Sequence, residues 1–144
     1  MPTESATPPE PAWQFSAFNE LAPADLYAAM QLRQRVFVVE QSCAYMDADG
    51  SDQRADHLLG WINDGGDRRL IAYARIFPPR VKYAEASIGR VATHPDVRQT
   101  GAGKALMREA IERLENAGYG SEIRIAAQLY LERFYASFGF VRVS

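Results

Sequence analysis

Ile88-Gly89-Arg90-Val91-Ala92-Thr93-His94-Pro95-Asp96-Val97-Arg98-Gln99-Thr100-Gly101-Ala102-Gly103-Lys104-Ala105-Leu106 decides the fold, because it holds a strand, a turn and a helix start without a break. The apolar run ends at Thr93, and Pro95 with the polar residues after it breaks the strand. A helix is expected over 101–117: Leu106, Ala110 and Leu114 recur at helical spacing beside Met107 and Ile111. Glu109 precedes Arg113 by four residues in the favourable order, and Gly118 supplies a C-terminal cap. A helix N-terminus offers unpaired N–H groups and a partial positive charge, which suits a phosphate. Gly101 and Gly103 remove side chains that would block an anion, and Arg98 adds a cation at the same turn.

Two other phosphate loops fail on these letters. A Walker A loop needs glycine at position 98 and Ser or Thr at 105, where the chain has Arg98 and Ala105. A dinucleotide fingerprint needs a third glycine at 106, which is Leu106. The two glycines taken alone are better described as a turn that merely opens a helix.

Working outward, 13–18 alternates apolar and polar residues as a half-buried strand does. Pro23 opens a helix through Leu26, Met30 and Phe37, with Asp25 in its first turn. Loop chemistry, with four aspartates and a glycine, fills 41–56. Strands over 57–63 and 70–77 flank Asp64-Gly65-Gly66-Asp67, a hairpin signal, and Pro78-Pro79 ends the second. A further strand is expected over 85–93. Downstream come a strand at 122–127, a short helix at 130–137 and a last strand at 139–143. The order β-α-β-β-β-α-β-α-β predicts a mixed α/β (α+β) layered fold. Residues 1–12, with four prolines and two glutamates, read as a disordered tail ahead of one domain over 13–144.

Composition bounds the function. The 144 residues suit one core, and 47% hydrophobic with 24% charged residues is ordinary for a soluble globular protein. A net charge of −2 gives no hint of an electrostatic grip on nucleic acid, and no window is apolar enough to span a bilayer. The first residues lack the basic start and apolar run of a signal peptide, and one cysteine, Cys43, forms no internal disulfide, so a cytoplasmic location is expected.

Arg-x-x-Gly-x-Gly after a strand and a His-Pro turn resembles motif A of the GNAT acetyltransferases. The segment Phe134-Tyr135-Ala136-Ser137-Phe138-Gly139-Phe140 is similar to that family's late helix-to-strand signature. Within the superfamily, Val36-Phe37-Val38-Val39-Glu40-Gln41, Cys43, Tyr45, Asp47-x-Asp49, Gly60-Trp61, Ala72-Tyr73-Ala74-Arg75 and Ile88-Gly89-Arg90-Val91 resemble the ElaA-like branch. The resemblance implies a mostly antiparallel central sheet flanked by helices, binding acetyl-coenzyme A and acetylating an amine. It implies that the backbone of Val91, Ala92 and Thr93 pairs with the pantetheine amides as an added strand. It implies that Arg98 and the N–H groups of Gln99, Thr100, Gly101, Ala102, Gly103 and Lys104 hold the pyrophosphate. Many relatives have glycine where this chain has Gln99.

Amine acetylation needs a neutral nucleophile, and an alkylamine has a pKa near ~10.4, so a base must take its proton. Direct attack in a ternary complex then rests on positioning and on donors near the carbonyl oxygen. Tyr135 matches the family's general acid toward the coenzyme A sulfur; the bland reading is an aromatic beside Phe134 and Phe138. Glu40, ending an apolar helical run, is the candidate base, against a solvated helix-end carboxylate. His94 is the rival base, since an unperturbed imidazole titrates near ~6.5, and a water relay would need neither.

Asp47-Ala48-Asp49-Gly50-Ser51 starts like a calcium loop, but position six is Asp52 and position twelve is Leu58, so no metal is expected. The acidic loop then reads as solvated, or as a wall attracting a cationic amine. Arg33 and Arg35 near Phe37 also bear a looser resemblance to acyl-homoserine-lactone synthases. Three functions follow from these readings: an N-acetyltransferase acting on a small-molecule or protein amine, a lactone-forming acyltransferase, and a non-catalytic acyl-CoA-binding module. The resemblance also implies one more strand after Phe140. Its lack is read as truncation, the alternative being a sheet edge open to a partner such as a second copy in a homodimer.

Overall fold

A computed structural model describes residues 10–120, 122–125 and 138–140. Five strands, β1 (Ala12–Ala17), β2 (Asp56–Asp64), β3 (Asp67–Phe77), β4 (Ala86–Thr93) and β5 (Ile123–Ile125), form one sheet in sequence order. The first four are antiparallel, and β5 joins β4 in parallel. Parallel pairing needs a crossover, which α2 (Ala102–Asn116) supplies. A second helix, α1 (Pro23–Arg33), precedes β2 and runs into a π-helical segment, Gln34–Glu40. The fold is thus the expected mixed, mostly antiparallel sheet with flanking helices.

The sheet is covered on both faces because its strands alternate between two apolar sets. Leu58, Ala72, Ala74, Ile76, Ala86 and Ile88 pack against Leu106, Met107, Ala110 and Leu114 of α2. Leu59, Trp61, Leu70, Tyr73 and Ala92 pack against Ala29, Leu32 and Val36 on the other side. The helical period read at 106, 110 and 114 is therefore the buried stripe of α2.

The β2–β3 hairpin closes on Gly65 and Gly66, at φ +64° and +96°, between the paired Asp64 and Asp67. Two left-handed residues match the twist of a two-residue hairpin, so both strands run further toward the turn than the apolar pattern alone suggests. The helix predicted through Phe37 is α-helical only to Arg33 and continues as the π-helical segment. The expected elements at 130–137 and 139–143 lie outside the described residues, apart from a turn at Phe138 and Gly139. Among the described residues, no helix is long and apolar enough to cross a membrane.

Candidate active site

The strand that ends at the phosphate-loop candidate is bulged. Tyr73 pairs with Ala92 and Arg75 with Gly89, so Ala74 faces two residues of β4, Arg90 and Val91. Arg90 takes φ +49°, a left-handed conformation that costs a non-glycine residue about 1–2 kcal/mol. Before this bulge, Ala86, Ser87 and Ile88 pair with the described residues of β5, Ile123–Ile125. Among the described residues, no strand lies along the outer edge of Val91–Thr93.

The chain then turns tightly. The His94 N–H donates to Ile71 O at 2.8 Å, and the His94 Nδ1 accepts from the Asp96 N–H at 3.1 Å. A single turn, Pro95–Val97, leads to Arg98, whose Nη2 donates back to Thr93 O at 3.1 Å. The Thr100 hydroxyl donates to Val97 O. Gln99 and Gly101 both adopt positive φ, +66° and +91°. A Cβ built on Gly101 meets nothing within 4 Å, so a side chain there would meet no neighbour. The first helical bond here runs from the Ala105 N–H to Gly101 O at 3.0 Å, which leaves the N–H groups of Ala102, Gly103 and Lys104 at the free end of α2. An exposed, open cradle of N–H groups at a helix N-terminus fits a phosphate group. Gln99 fills a left-handed position that glycine would occupy at lower cost, so the departure at 99 keeps the loop's path.

Glu40 and Arg98, two candidates proposed for separate roles, are partners. Arg98 Nη2 donates to Glu40 Oε1 at 2.8 Å, and its Nη1 donates to Oε2. This hydrogen bonding, helped by Arg35 and His94, holds the Glu40 carboxyl below the usual range. His94 is also shifted down, first by burial and then by Arg69, so its imidazole is neutral at neutral pH. A neutral ring can accept a proton, but a lowered pKa makes it a weaker base. Tyr135, the candidate acid, lies outside the described residues.

The acidic loop corrects an expectation: most of it is exposed, but its aspartates are neither free solvated carboxylates nor an amine-attracting wall. Asp47, Asp49 and Asp52 are bound by three arginines. Arg33, fully buried, donates from Nε to Asp47 Oδ2 at 2.9 Å and from Nη1 to Asp52 Oδ1 at 2.7 Å. Arg75 donates from Nη1 to Asp52 Oδ1 at 2.9 Å and grips Asp49 with both terminal nitrogens, at 2.8 and 3.0 Å. Arg90 donates from Nε to Asp47 Oδ1 at 2.9 Å and from Nη2 to Asp49 Oδ2 at 3.3 Å. Three guanidinium groups against three carboxylates cancel, which removes any net pull on a cation. The hydrogen bonds of Arg75 hold Asp49 well below the ordinary carboxylate range. Burial, the largest influence on Asp52, pushes it up, but Arg33 and Arg75 outweigh this and the carboxyl ends below its usual range.

The network continues into the sheet. His57 Nε2 lies 2.9 Å from Asp52 O and its Nδ1 lies 2.7 Å from the Tyr73 hydroxyl. A carbonyl only accepts, so Nε2 carries the hydrogen and Nδ1 accepts from Tyr73. Burial lowers the His57 pKa, which keeps the ring neutral. The effect is to clamp the loop at 47–52 against the sheet and to anchor Arg90, the strained residue of the β4 bulge. Sequence reasoning missed this function for Arg33, Arg75 and Arg90. The available signal was Arg75 itself, a charge inside the apolar run of β3.

Comparisons with known proteins identify the family. The sequence profile of the Acetyltransferase (GNAT) family matches residues 25–140. Protein ElaA of Escherichia coli strain K12 is 40% identical over 134 residues, covering 92% of this chain and 85% of ElaA. A UPF0039 protein of Synechocystis is 40% identical over 131 residues, covering 91% of this chain and 83% of the relative. The crystal structure of Escherichia coli ElaA superposes with a TM-score of 0.85 at 39% identity, covering 93% of this chain and 89% of that one. An acyl-CoA N-acyltransferase from Pseudomonas aeruginosa gives a TM-score of 0.85 at 34% identity, covering 93% and 90%. A profile match over most of the chain, with relatives this similar along nearly their whole length, means that the chain belongs to the acetyltransferase (GNAT) family, in its ElaA-like branch.

Proposed function

We propose that the protein transfers the acetyl group of acetyl-coenzyme A to a primary amine, by direct attack in a ternary complex. The observation that carries this reading is the pairing of two backbone features in one place. The β4 bulge at Arg90 and Val91 sets off the extended segment Val91–Thr93, and the free helix-start N–H groups of the 98–104 loop follow immediately. Extended pantetheine suits the first by strand-like pairing, and a pyrophosphate suits the second. The thioester supplies the acetyl group.

In the proposed reaction the amine nitrogen bonds to the acetyl carbon as the C–S bond breaks. The amine's proton passes to a base, and the departing thiolate takes one from an acid. Tyr135 is the proposed acid, on the strength of its place in the family's late signature. Glu40 and His94 are the proposed bases, directly or through water. Both stand at the mouth of the same turn, Glu40 through its bond to Arg98 and His94 within the chain of the turn. The cancelled charge of the aspartate loop supports selection of the amine by shape and hydrogen bonding rather than by a negative wall.

Thiol release from acetyl-coenzyme A over a panel of small amines and peptides tests this reading, with Tyr135→Phe beside the wild type. Turnover on at least one amine, with kcat lowered at least ten-fold in Tyr135→Phe and KM for acetyl-coenzyme A little changed, is expected. Tight acetyl-coenzyme A binding without turnover on any amine would favour the acyl-CoA-binding module instead.

A further inference from the structure

We infer that Glu40 competes with the coenzyme A pyrophosphate for the Arg98 guanidinium, so that seating the cofactor and releasing Glu40 into the cleft are one coupled event. This rests on the reading of 98–104 as the phosphate loop. Both terminal nitrogens of Arg98 are engaged by the two oxygens of Glu40. The planar guanidinium that matches a carboxylate in this way matches a phosphate equally well, and it cannot present the same pair of N–H groups to both at once.

The pair is built by elements far apart in sequence. Glu40 closes the π-helical segment Gln34–Glu40, and the chain reverses directly after it, with Ser42 at φ +51°. A π turn shifts the angular position of everything that follows, which decides where the last side chain of the segment falls. Arg98 is held from the other side by Thr93 O, at the end of the cofactor strand. Both side chains are 37% exposed, so the pair sits in solvent reach and can exchange partners at small cost.

Two forces act in the same direction once a pyrophosphate reaches the loop. Its charge claims the guanidinium, and it repels the neighbouring carboxylate. Released from Arg98, Glu40 loses the hydrogen bond that holds its pKa down and becomes a stronger base, at the moment the acetyl donor is in place. Because such coupling is reciprocal, a change at Glu40 that weakens its grip on Arg98 must tighten cofactor binding.

Titration calorimetry of the whole chain with coenzyme A at low salt tests this, using wild type, Glu40→Gln, Glu40→Ala, Arg98→Ala and the double variant Glu40→Gln/Arg98→Ala. Both Glu40 variants should bind coenzyme A about five-fold more tightly, the upper range of an exposed ion pair. Arg98→Ala should bind more weakly, and in that background the gain from Glu40→Gln should shrink to the small residue that direct charge repulsion supplies. Pantetheine, which has no pyrophosphate, should bind equally to wild type and Glu40→Gln. The inference is overturned if both Glu40 variants leave coenzyme A affinity unchanged or weaken it. It is overturned equally if the full gain persists without Arg98, since the carboxylate would then act only as a diffuse charge. Unchanged affinity in Arg98→Ala would instead remove Arg98 from the phosphate site, a failure of the underlying assignment and separable from the first two.

Discussion

Asp52→Asn should be among the most destabilising single-charge changes in the described part of this chain. Its Oδ1 accepts from Arg33 at 2.7 Å and from Arg75 at 2.9 Å, and the exposures of the three side chains are 7%, 0% and 1%. Asparagine keeps the shape and one acceptor oxygen but removes a negative charge, leaving three guanidinium groups on two carboxylates. Breaking a buried ion pair by removing one partner costs about 3–5 kcal/mol, because the remaining charge stays buried. The retained acceptor oxygen places the expected cost near the lower end, about 3 kcal/mol. With a urea slope of order 2 kcal/mol per molar, the unfolding midpoint should fall by about 1.5 M. Urea titration followed by the fluorescence of Trp13 and Trp61 measures it directly. Glu109→Gln, which breaks the i,i+4 pair with Arg113, serves as control and should cost under ~0.5 kcal/mol. A shift in Asp52→Asn no larger than the control's would refute the claim that the aspartate loop is held by a buried charge network.

Two further changes probe the scaffold. His57 has a folded-state pKa below its unfolded value, so the unfolded chain takes up a proton that the folded chain refuses. Stability is then complete above about pH 6.5 and falls as pH drops through that value. His57→Gln should flatten the fall between pH 7 and 5.5 in urea midpoints, leaving only the smaller contribution of His94, which is shifted the same way; equal slopes in variant and wild type would exclude His57. At Gly60 an added Cβ would lie 2.7 Å from Trp13 Cζ3 and 3.1 Å from Ala72 Cβ. Gly60→Ala should therefore cost about 1–3 kcal/mol, and Trp13→Leu should shrink that increment if the ring is the obstacle.

Local chemistry was readable in the sequence where it depends on neighbours along the chain. The Gly65-Gly66 turn, the stripe of Leu106, Ala110 and Leu114, and the open helix start at Gly101 each follow from a few adjacent letters. The β4 bulge was not readable, because nothing in Arg90 announces a left-handed residue until the register against β3 is seen. Nor was the aspartate network, whose pairs join Arg33 to Asp47 and Asp52 across 14 and 19 positions and Arg90 to Asp47 across 43. Spacing rules reach one helical turn or one hairpin, not partners that meet only when the sheet closes. Glu40 and Arg98 meet across 58 positions, and each was assigned a role that the other's presence now conditions.

The central claim is that the loop 98–104 holds the coenzyme A pyrophosphate, and calorimetry of acetyl-coenzyme A with Gly101→Asp tests it most directly. Aspartate tolerates left-handed φ better than most residues, and the position is open, so the fold should survive. A carboxylate about 4 Å from a phosphate charge is repelled by roughly 4 kcal/mol at an effective dielectric of 20. Gly101→Asn has the same backbone demand without the charge. The account predicts at least a hundred-fold loss of affinity in Gly101→Asp and a much smaller one in Gly101→Asn. Wild-type affinity in a folded Gly101→Asp would contradict it.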